Sequence, residues 1–308
     1  TEDKILITQL DHEGNRGPWI ELEDEGITVE EVKINTDTLD LNMNDFESKL
    51  TENTKLVAVT CANNAVGTIP KLKNIIEKAH EVNAYTVLDA VHYAAHFPID
   101  VKELNTDFLL CSAYKFFGPH IGILYTKKEI LSKMDTLKVK PQIDEPPYKF
   151  ETGTLNHEGI AGAKEAVQFI ADVGEKSSSY IQTDITENVS KRRKNIISGL
   201  KILEKYENIL TTRLINGLSE IPEITTYRPE SKQTTSTVSF THDRYSPKEI
   251  ASYLGSKGIF VWDGDFYAKR TVERLNLDDE GGLVRIGISP YNNKEEIDRT
   301  IEALNDLD

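Results

Sequence analysis

The sequence predicts an α/β protein with a large domain on a mainly parallel sheet and a smaller C-terminal α/β domain. Short apolar runs alternate with amphipathic helical segments from Ile5 onward, which is the pattern of βαβ units. Polar residues follow several of these runs, at the carboxyl ends where open parallel sheets bind ligands. The chain of 308 residues exceeds one average domain. We therefore expect domains at 1–200 and 201–308.

Charge and hydropathy limit the classes of partner. The net charge of −15 and the lack of a clustered basic stripe argue against nucleic acid and anionic membranes. The basic run at Lys191–Lys194 fits a solvated helix face. No apolar stretch approaches the roughly 20 residues of a membrane span, and no signal peptide precedes the first strand. These features predict a soluble, cytoplasmic protein.

The first predicted elements are the strand at Lys4–Thr8 and a helix in "QLDHEGNRGPWIEL". Pro18 suits the first turn of a helix that runs toward Glu25. His12 then lies in the loop between the strand's carboxyl end and the helix. From the residues alone, His12 could be an ordinary exposed histidine of this loop.

The next elements continue the strand and helix alternation. Ile27–Ile34 reads as a strand, Met43–Leu50 as a short helix, and Leu56–Thr60 as a buried strand that ends in "CANNAVGT". Asn64 lies in this turn, and an asparagine there can be explained by turn formation alone, because its side chain hydrogen-bonds the nearby backbone. Pro70 begins an amphipathic helix. No GxGxxG follows any of these strands, which disfavours a nicotinamide-binding fold.

The central stretch carries the main chemical signal. Tyr85–Leu88 and Phe108–Cys111 are predicted as strands buried on both faces; Asp89 closes the first, and Lys115 follows the second by four residues. A carboxylate can keep a pyridine nitrogen protonated, and a lysine amine can form a Schiff base, as pyridoxal 5'-phosphate (PLP) requires. The hydroxyl of Ser112 suits a phosphate. The alternative is a helix-capping aspartate and a surface lysine.

These residues resemble a known family. "VLDAVHYAAHFPIDV" and "DFLLCSAYKFFGPHIGILY" resemble the class V aminotransferase family of fold-type I PLP-dependent enzymes, in its cysteine desulfurase-like branch. The resemblance extends from about Ile5 to Leu304. It implies PLP as cofactor, an α-amino acid substrate, Lys115 as the Schiff-base residue and a homodimer with shared active sites. Relatives carry a further N-terminal segment that holds the cofactor phosphate, so we expect an N-terminally incomplete large domain.

The resemblance also implies roles for three polar residues near the cofactor ring. His12 would stack on the face of the pyridine ring, and Asn64 would hydrogen-bond the phenolic oxygen. His92 stands where most desulfurases have a glutamine that contacts the same oxygen. A zinc site formed by His92, His96 and Cys61 is disfavoured, because the ligand spacing of known zinc motifs is missing.

Two residues are implied at the cofactor phosphate. Tyr114 replaces the histidine that many desulfurases place before the lysine; its hydroxyl can donate to phosphate but is a poor base near neutral pH. Thr154, in "ETGTLNHEGIAG", would reach the phosphate of the neighbouring subunit's cofactor. The alternative for Thr154 is an N-cap of the helix predicted at Glu158–Ala171.

The C-terminal part begins with a long helix predicted at Lys191–Leu218, which bridges to the small domain. Ser246 and Glu249 form a capping-box pattern at the start of a later helix. Further strands are predicted at Ile224–Tyr227, at Thr235–Phe240 and in "GLVRIGIS", followed by a last amphipathic helix.

Arg285 is a lone charge inside the apolar strand "LVRIGI". An unpaired buried guanidinium is costly, so an anion must meet it. The resemblance implies that this anion is the α-carboxylate of the substrate, a bidentate task that arginine geometry suits. The alternative is a structural pair with a buried aspartate or glutamate.

The sequence departs from the desulfurases at the mobile loop that carries their cysteine. The aligned position in "WDGDFYAKR" is Tyr267, and Trp262 replaces an arginine. A phenol cannot form a persulfide, and Cys61 and Cys111 at the ends of predicted buried strands read as reduced core residues. We therefore predict lyase, epimerase or transaminase chemistry on an α-amino acid. The alternative is a truncated, catalytically incompetent protein of the PLP fold.

Overall fold

The computed structural model describes residues 2–177, 189–231 and 233–307, which form two sheets with helices packed on them. The larger sheet has six strands in the order β2-β1-β3-β4-β5-β6. The first five are parallel, and β6 runs antiparallel to β5. Their bounds are β1 Lys4–Thr8, β2 Thr28–Val32, β3 Thr54–Thr60, β4 Tyr85–Asp89, β5 Phe108–Ser112 and β6 Gly122–Thr126. The predicted mainly parallel sheet is confirmed.

Helices connect these strands. Their bounds are α1 Glu13–Ile20, α2 Met43–Lys49, α3 Leu72–Glu81, α4 Val101–Leu104, α5 Lys128–Lys133 and α6 His157–Lys176. The predicted helix start at Pro18 is wrong, because α1 begins at Glu13 and contains Pro18 in its interior. The cause is His12, whose Nδ1 accepts a hydrogen bond from the backbone of Gly14 at 2.9 Å and caps the helix earlier. The last residues before Gly26 continue as a 3₁₀ turn at Glu21–Glu25.

The smaller sheet is antiparallel, in the order β7-β8-β10-β9. Ser246 and Glu249 form the predicted capping box at its first helix. The second strand begins later than predicted, at Thr237. The bounds are β7 Ile224–Tyr227, β8 Thr237–His242, β9 Trp262–Gly264 and β10 Leu283–Gly287, with helices α8 Pro247–Ser256, α9 Lys269–Arg274 and α10 Lys294–Asn305.

A long helix, α7 (Lys191–Ser219), joins the two parts. Near its start it crosses α6 closely, because a Cβ at Gly174 or Gly199 would collide with the backbone of the opposite helix. Nearer its end, Leu210 and Leu214 are fully buried in the core of the smaller sheet. The predicted boundary near residue 200 thus falls inside α7, and the division into 1–200 and 201–308 remains a prediction. Of the helices in the described ranges, none combines the length and apolar character needed to span a membrane.

The predicted two-sided burial of Phe108–Cys111 is only partly correct. Leu110 is 39% exposed, because its side chain lines an open cavity. Cys111 is half-buried, whereas Cys61 is buried, and both are free thiols. The prediction of a core thiol therefore holds for Cys61 and is wrong for Cys111.

Candidate active site

A cavity of about 720 Å³ opens where β3, β4 and β5 of the larger sheet end, beside β9 and β10 of the smaller sheet. Its size is typical of a small-molecule site. Thr154 does not line it and is exposed in the segment before α6. All other predicted site residues line the cavity: His12, Asn64, Asp89, His92, Ser112, Tyr114, Lys115 and Arg285.

Asp89 is the last residue of β4. Its Oδ1 accepts the backbone N–H of Val91 at 2.9 Å, and no donor in the described ranges reaches Oδ2. Burial raises the pKa of Asp89, while the hydrogen bond from Val91 and the nearby Lys115 oppose that rise. A largely buried carboxylate with one unused oxygen at a cavity fits a cationic N–H donor.

Lys115 reaches the cavity because the chain turns sharply after β5. Residues Ala113–Phe116 form one 3₁₀ turn, which Phe117 ends in the left-handed region at φ 70°. The next residue is Gly118, whose N–H donates to the carbonyl of Ala113 at 2.8 Å. A Cβ at Gly118 would press on that carbonyl, so this turn requires glycine. The ion pairs found in the described ranges do not include Lys115.

Two hydroxyl groups lie beside this lysine. Ser112 ends β5 and makes no side-chain capping bond to the turn that follows. Tyr114 stacks on His120 with ring centroids 5.1 Å apart, and Nζ of Lys115 lies 5.2 Å from the Tyr114 ring centroid. Neither hydroxyl has a hydrogen-bond partner within the described ranges, so both could donate to an anion in the cavity.

His12 is held by its capping bond. Since Nδ1 accepts the N–H of Gly14, the proton of the neutral ring is on Nε2. Burial lowers the pKa of His12, while Asp89 opposes that effect. The ring lies 5.5 Å from the ring of Tyr267, between centroids. His12 is thus a neutral imidazole with a fixed orientation at neutral pH.

His92 reaches across to the smaller sheet. Its Nε2 lies 3.2 Å from Oγ1 of Thr235 and 3.1 Å from Oγ1 of Thr237. Burial lowers the pKa of His92 well below its ordinary value, and the nearby His96 adds to the effect. His96 in turn contacts Glu207, with Nδ1 2.9 Å from Oε2. Local sequence patterns did not reveal this network, because each histidine is more than a hundred residues from its partners in the smaller sheet and α7.

Arg285 and Asn64 join the smaller sheet to the larger one. Nη1 of Arg285 donates to the carbonyl of Asn64 at 2.8 Å, and the guanidinium carbon lies 4.3 Å from the centroid of the Phe266 ring. Nδ2 of Asn64 donates to the carbonyl of Phe266 at 2.8 Å. Burial lowers the pKa of Arg285. Within the described ranges no carboxylate pairs with Arg285, so the alternative of a structural ion pair finds no partner there.

Asp11 is a further residue of the site's support that was not predicted from the sequence. It is fully buried and accepts backbone N–H groups of Thr8 at 2.7 Å and of Thr60 at 2.5 Å. Asn15 adds a side-chain hydrogen bond at 3.1 Å. Burial raises the pKa of Asp11 to about 7. The carboxylate ties β1, β3 and α1 together directly before His12, and its place after a buried strand could have revealed it.

The described residues contain no group of three or more His, Cys, Asp or Glu side chains placed to hold a metal ion. His92 and His96 contact each other edge-on, with ring centroids 5.2 Å apart. Their polar atoms are directed to threonine hydroxyls and to Glu207.

Comparison with known proteins shows the family and the fold of the chain. The family described as "Aminotransferase class-V" matches residues 1–198 and 195–300. A probable cysteine desulfurase of Halalkalibacterium halodurans is 30% identical, over 98% of this chain and 70% of that protein. The apo structure of a cysteine desulfurase from Thermococcus onnurineus superposes with a TM-score of 0.85 at 28% identity, over 99% of this chain and 72% of that one. A cysteine desulfurase of Escherichia coli, 24% identical, shares the fold with a TM-score of 0.81, over 98% of this chain and 71% of that one.

Proposed function

Since this chain belongs to the aminotransferase class-V family, a family of PLP-dependent enzymes, we propose that its cavity binds and converts an α-amino acid. One observation carries the proposal. The cavity brings together Asp89, Lys115 and Arg285, and neither cation pairs with a carboxylate in the described ranges. In the described ranges the amine and the guanidinium have no ion-pair partner, and the carboxylate has one oxygen without a donor, so all three groups suit an outside ligand that carries complementary groups.

The residues of the cavity fit PLP. Oδ2 of Asp89 is a free acceptor for a protonated ring nitrogen, and the amine of Lys115 is available to attach the cofactor. The free hydroxyls of Ser112 and Tyr114 suit a phosphate. When bound, PLP supplies an electron sink for the α-carbon of the substrate, a capacity that amino-acid side chains lack.

Each side chain then has a defined task. Asp89 would hold the ring nitrogen of bound PLP in its protonated form, and Lys115 would attach the cofactor and accept the proton of the α-carbon. His12, neutral and fixed by its capping bond, would lie against the cofactor ring, as the resemblance implies. Asn64 has one amide N–H left for the phenolic oxygen after its bond to Phe266, and His92 lies on the same wall. The free guanidinium N–H groups of Arg285 bind the α-carboxylate.

The chemistry that follows differs from that of the relatives called cysteine desulfurases. Tyr267 lines the cavity, and the resemblance implies that it stands where the desulfurases carry their loop cysteine. Burial raises the pKa of Cys61 and of Cys111, so neither thiol is a ready nucleophile. We therefore favour lyase, epimerase or transaminase chemistry that forms no persulfide. Incubation with L-cysteine followed by intact mass spectrometry tests this point, and a stoichiometric persulfide formed at the rate of alanine release would overturn it.

Two further parts of the proposal extend beyond the cavity. Thr154 is exposed and lies outside the cavity, so a role at a phosphate requires the cavity of a second subunit. On this basis we propose a homodimer with shared sites. We also propose a cytoplasmic location. Sedimentation of the protein expressed from the complete gene tests the dimer, and mixing Thr154→Ala with Lys115→Ala protein tests the shared sites. Hybrid dimers hold one intact site only if Thr154 acts across subunits.

The main test uses the PLP-loaded protein from the complete gene. We expect a visible cofactor band that changes when amino acids are added. Arg285→Lys should abolish the change while the cofactor band and thermal stability are kept, because lysine cannot reproduce bidentate carboxylate binding. Loss of folding in Arg285→Lys would support a structural role for Arg285 and contradict the proposed one.

A further inference from the structure

The wall of the cavity beside Arg285 is a fixed aromatic turn. Ala268 donates its N–H to the carbonyl of Asp265 at 2.8 Å, which closes a turn with Phe266 and Tyr267 at its centre. Both central residues have positive φ, 58° and 59°, a conformation that large L-residues rarely adopt. The turn therefore depends on its surroundings to hold it.

The larger sheet supplies those surroundings. The carbonyl of Phe266 accepts Nδ2 of Asn64 at 2.8 Å, and the carbonyl of Tyr267 accepts the N–H of Glu13 at 2.8 Å. Phe266 is buried under the guanidinium of Arg285. Tyr267 is 70% exposed and lines the cavity near His12. The turn thus presents one aromatic ring to Arg285 and another to the open cavity, in a fixed place.

Trp262 extends this wall. It pairs directly with Arg285 across β9 and β10, so the two side chains project from the same face of the sheet. The indole is 66% exposed and lines the cavity. If the carboxylate of a ligand binds Arg285, the part of the ligand next to that carboxylate lies on the side of the cavity that Trp262 and Tyr267 line.

The charges of the cavity restrict what can lie against this wall. In the described part of the chain, the charged lining residues are Asp89, Lys115 and Arg285, since burial keeps His12 and His92 neutral. The proposed function assigns all three charges to the cofactor and the α-carboxylate. A charged substrate side chain would find no further counter-ion among the described lining residues.

Resting on that function, we propose that Trp262 and Tyr267 form the subsite for the substrate side chain, and that this side chain is uncharged and aromatic. Aromatic rings gain from packing against one another beyond the area that they bury. Hydrogen bonds from Asn64 and Glu13 hold the backbone of the turn, so binding requires little ordering of that backbone.

Carboxylates without an amino group test the subsite, because they cannot react with the cofactor. Calorimetric titration of the PLP-loaded protein should show 3-phenylpropanoate binding at least about tenfold tighter than propanoate, equivalent to about 1.4 kcal/mol. Succinate, which adds a second charge, should bind no tighter than propanoate. Trp262→Ala should remove the preference and Trp262→Phe should retain it.

The controls separate the two proposals. Phe260 is 90% exposed and does not line the cavity, so Phe260→Ala should keep the preference for 3-phenylpropanoate. Arg285→Lys should weaken all three carboxylates alike. Equal binding of the three, tighter binding of succinate, or an unchanged preference in Trp262→Ala would overturn the aromatic subsite and leave the proposed function standing. Failure of every carboxylate and every amino acid to bind would contradict the proposed function itself.

Discussion

The carboxylate of Asp11 accepts the backbone N–H of Thr60 at 2.5 Å, which holds the end of β3 against the loop that carries His12. Thr8 and Asn15 also donate to this side chain, so both of its carboxyl oxygens accept hydrogen bonds inside a buried site. The floor of the cavity is therefore fixed by a residue that does not line it.

Asp11→Asn tests this support. The amide would place N–H groups against backbone N–H donors, and leaving one buried donor unsatisfied costs about 1–3 kcal/mol. We expect the free energy of unfolding in urea to fall by that amount. Asp37→Asn, on an exposed loop residue, is the matched control and should unfold like the unchanged protein. Equal stability of the two variants would show that the Asp11 network has no stabilising role.

His92 gives the protein a dependence on acid. The pKa of His92 in the folded state lies well below its ordinary value of 6.5. Below pH 6.5, His92 is therefore protonated in the unfolded chain but stays neutral in the native protein. Stability from this group is present above pH 6.5 and is lost as the pH falls, by up to about 1.4 kcal/mol per pH unit. His92→Gln should have a flatter stability profile on the acid side. Identical slopes in urea titrations at several pH values would contradict a buried neutral His92.

The crossing of α6 and α7 predicts opposite effects for two glycine substitutions. Gly199→Ala should destabilise the protein by about 2 kcal/mol or more, because the new Cβ would collide with the carbonyl of Ile170. Gly255 lies in α8 with open space where an added Cβ would project, so Gly255→Ala should stabilise by about 0.5–1 kcal/mol. Thermal unfolding of both variants measures the two effects. An unchanged stability of Gly199→Ala would mean that α6 and α7 lie farther apart than in this structure.

Local patterns predicted most strands of the larger sheet and the edge at which the cavity opens. Apolar runs indicated the parallel strands, and the residues just after them, Asp89 and Lys115, line one cavity because parallel strands end at the same edge. The start of α1 was mispredicted because Pro18 is a stronger local signal than a capping side chain six residues earlier.

Contacts between distant segments were beyond such patterns. Thr235 and Thr237 follow His92 by 143 and 145 residues. No local sequence pattern around His92 or around the two threonines indicates that they are in contact. The position of Phe266 under Arg285 likewise depends on two non-glycine residues with positive φ, which sequence propensity disfavours. The position of Asp89 and Lys115 at the cavity could therefore be predicted, whereas the contact of Phe266 with Arg285 required the structure.

The central claim is that Lys115 attaches PLP in this cavity, and one measurement tests it most directly. The protein from the complete gene is loaded with PLP, reduced with borohydride, digested and analysed by peptide mass spectrometry. We predict a reduced pyridoxyl group on the peptide that contains Lys115, and its loss together with the visible band in Lys115→Ala. Lys127, which pairs with Asp107 at 2.7 Å, provides the matched control, and Lys127→Ala should retain both. A pyridoxyl group on another lysine, or an unchanged visible band in Lys115→Ala, would contradict the account.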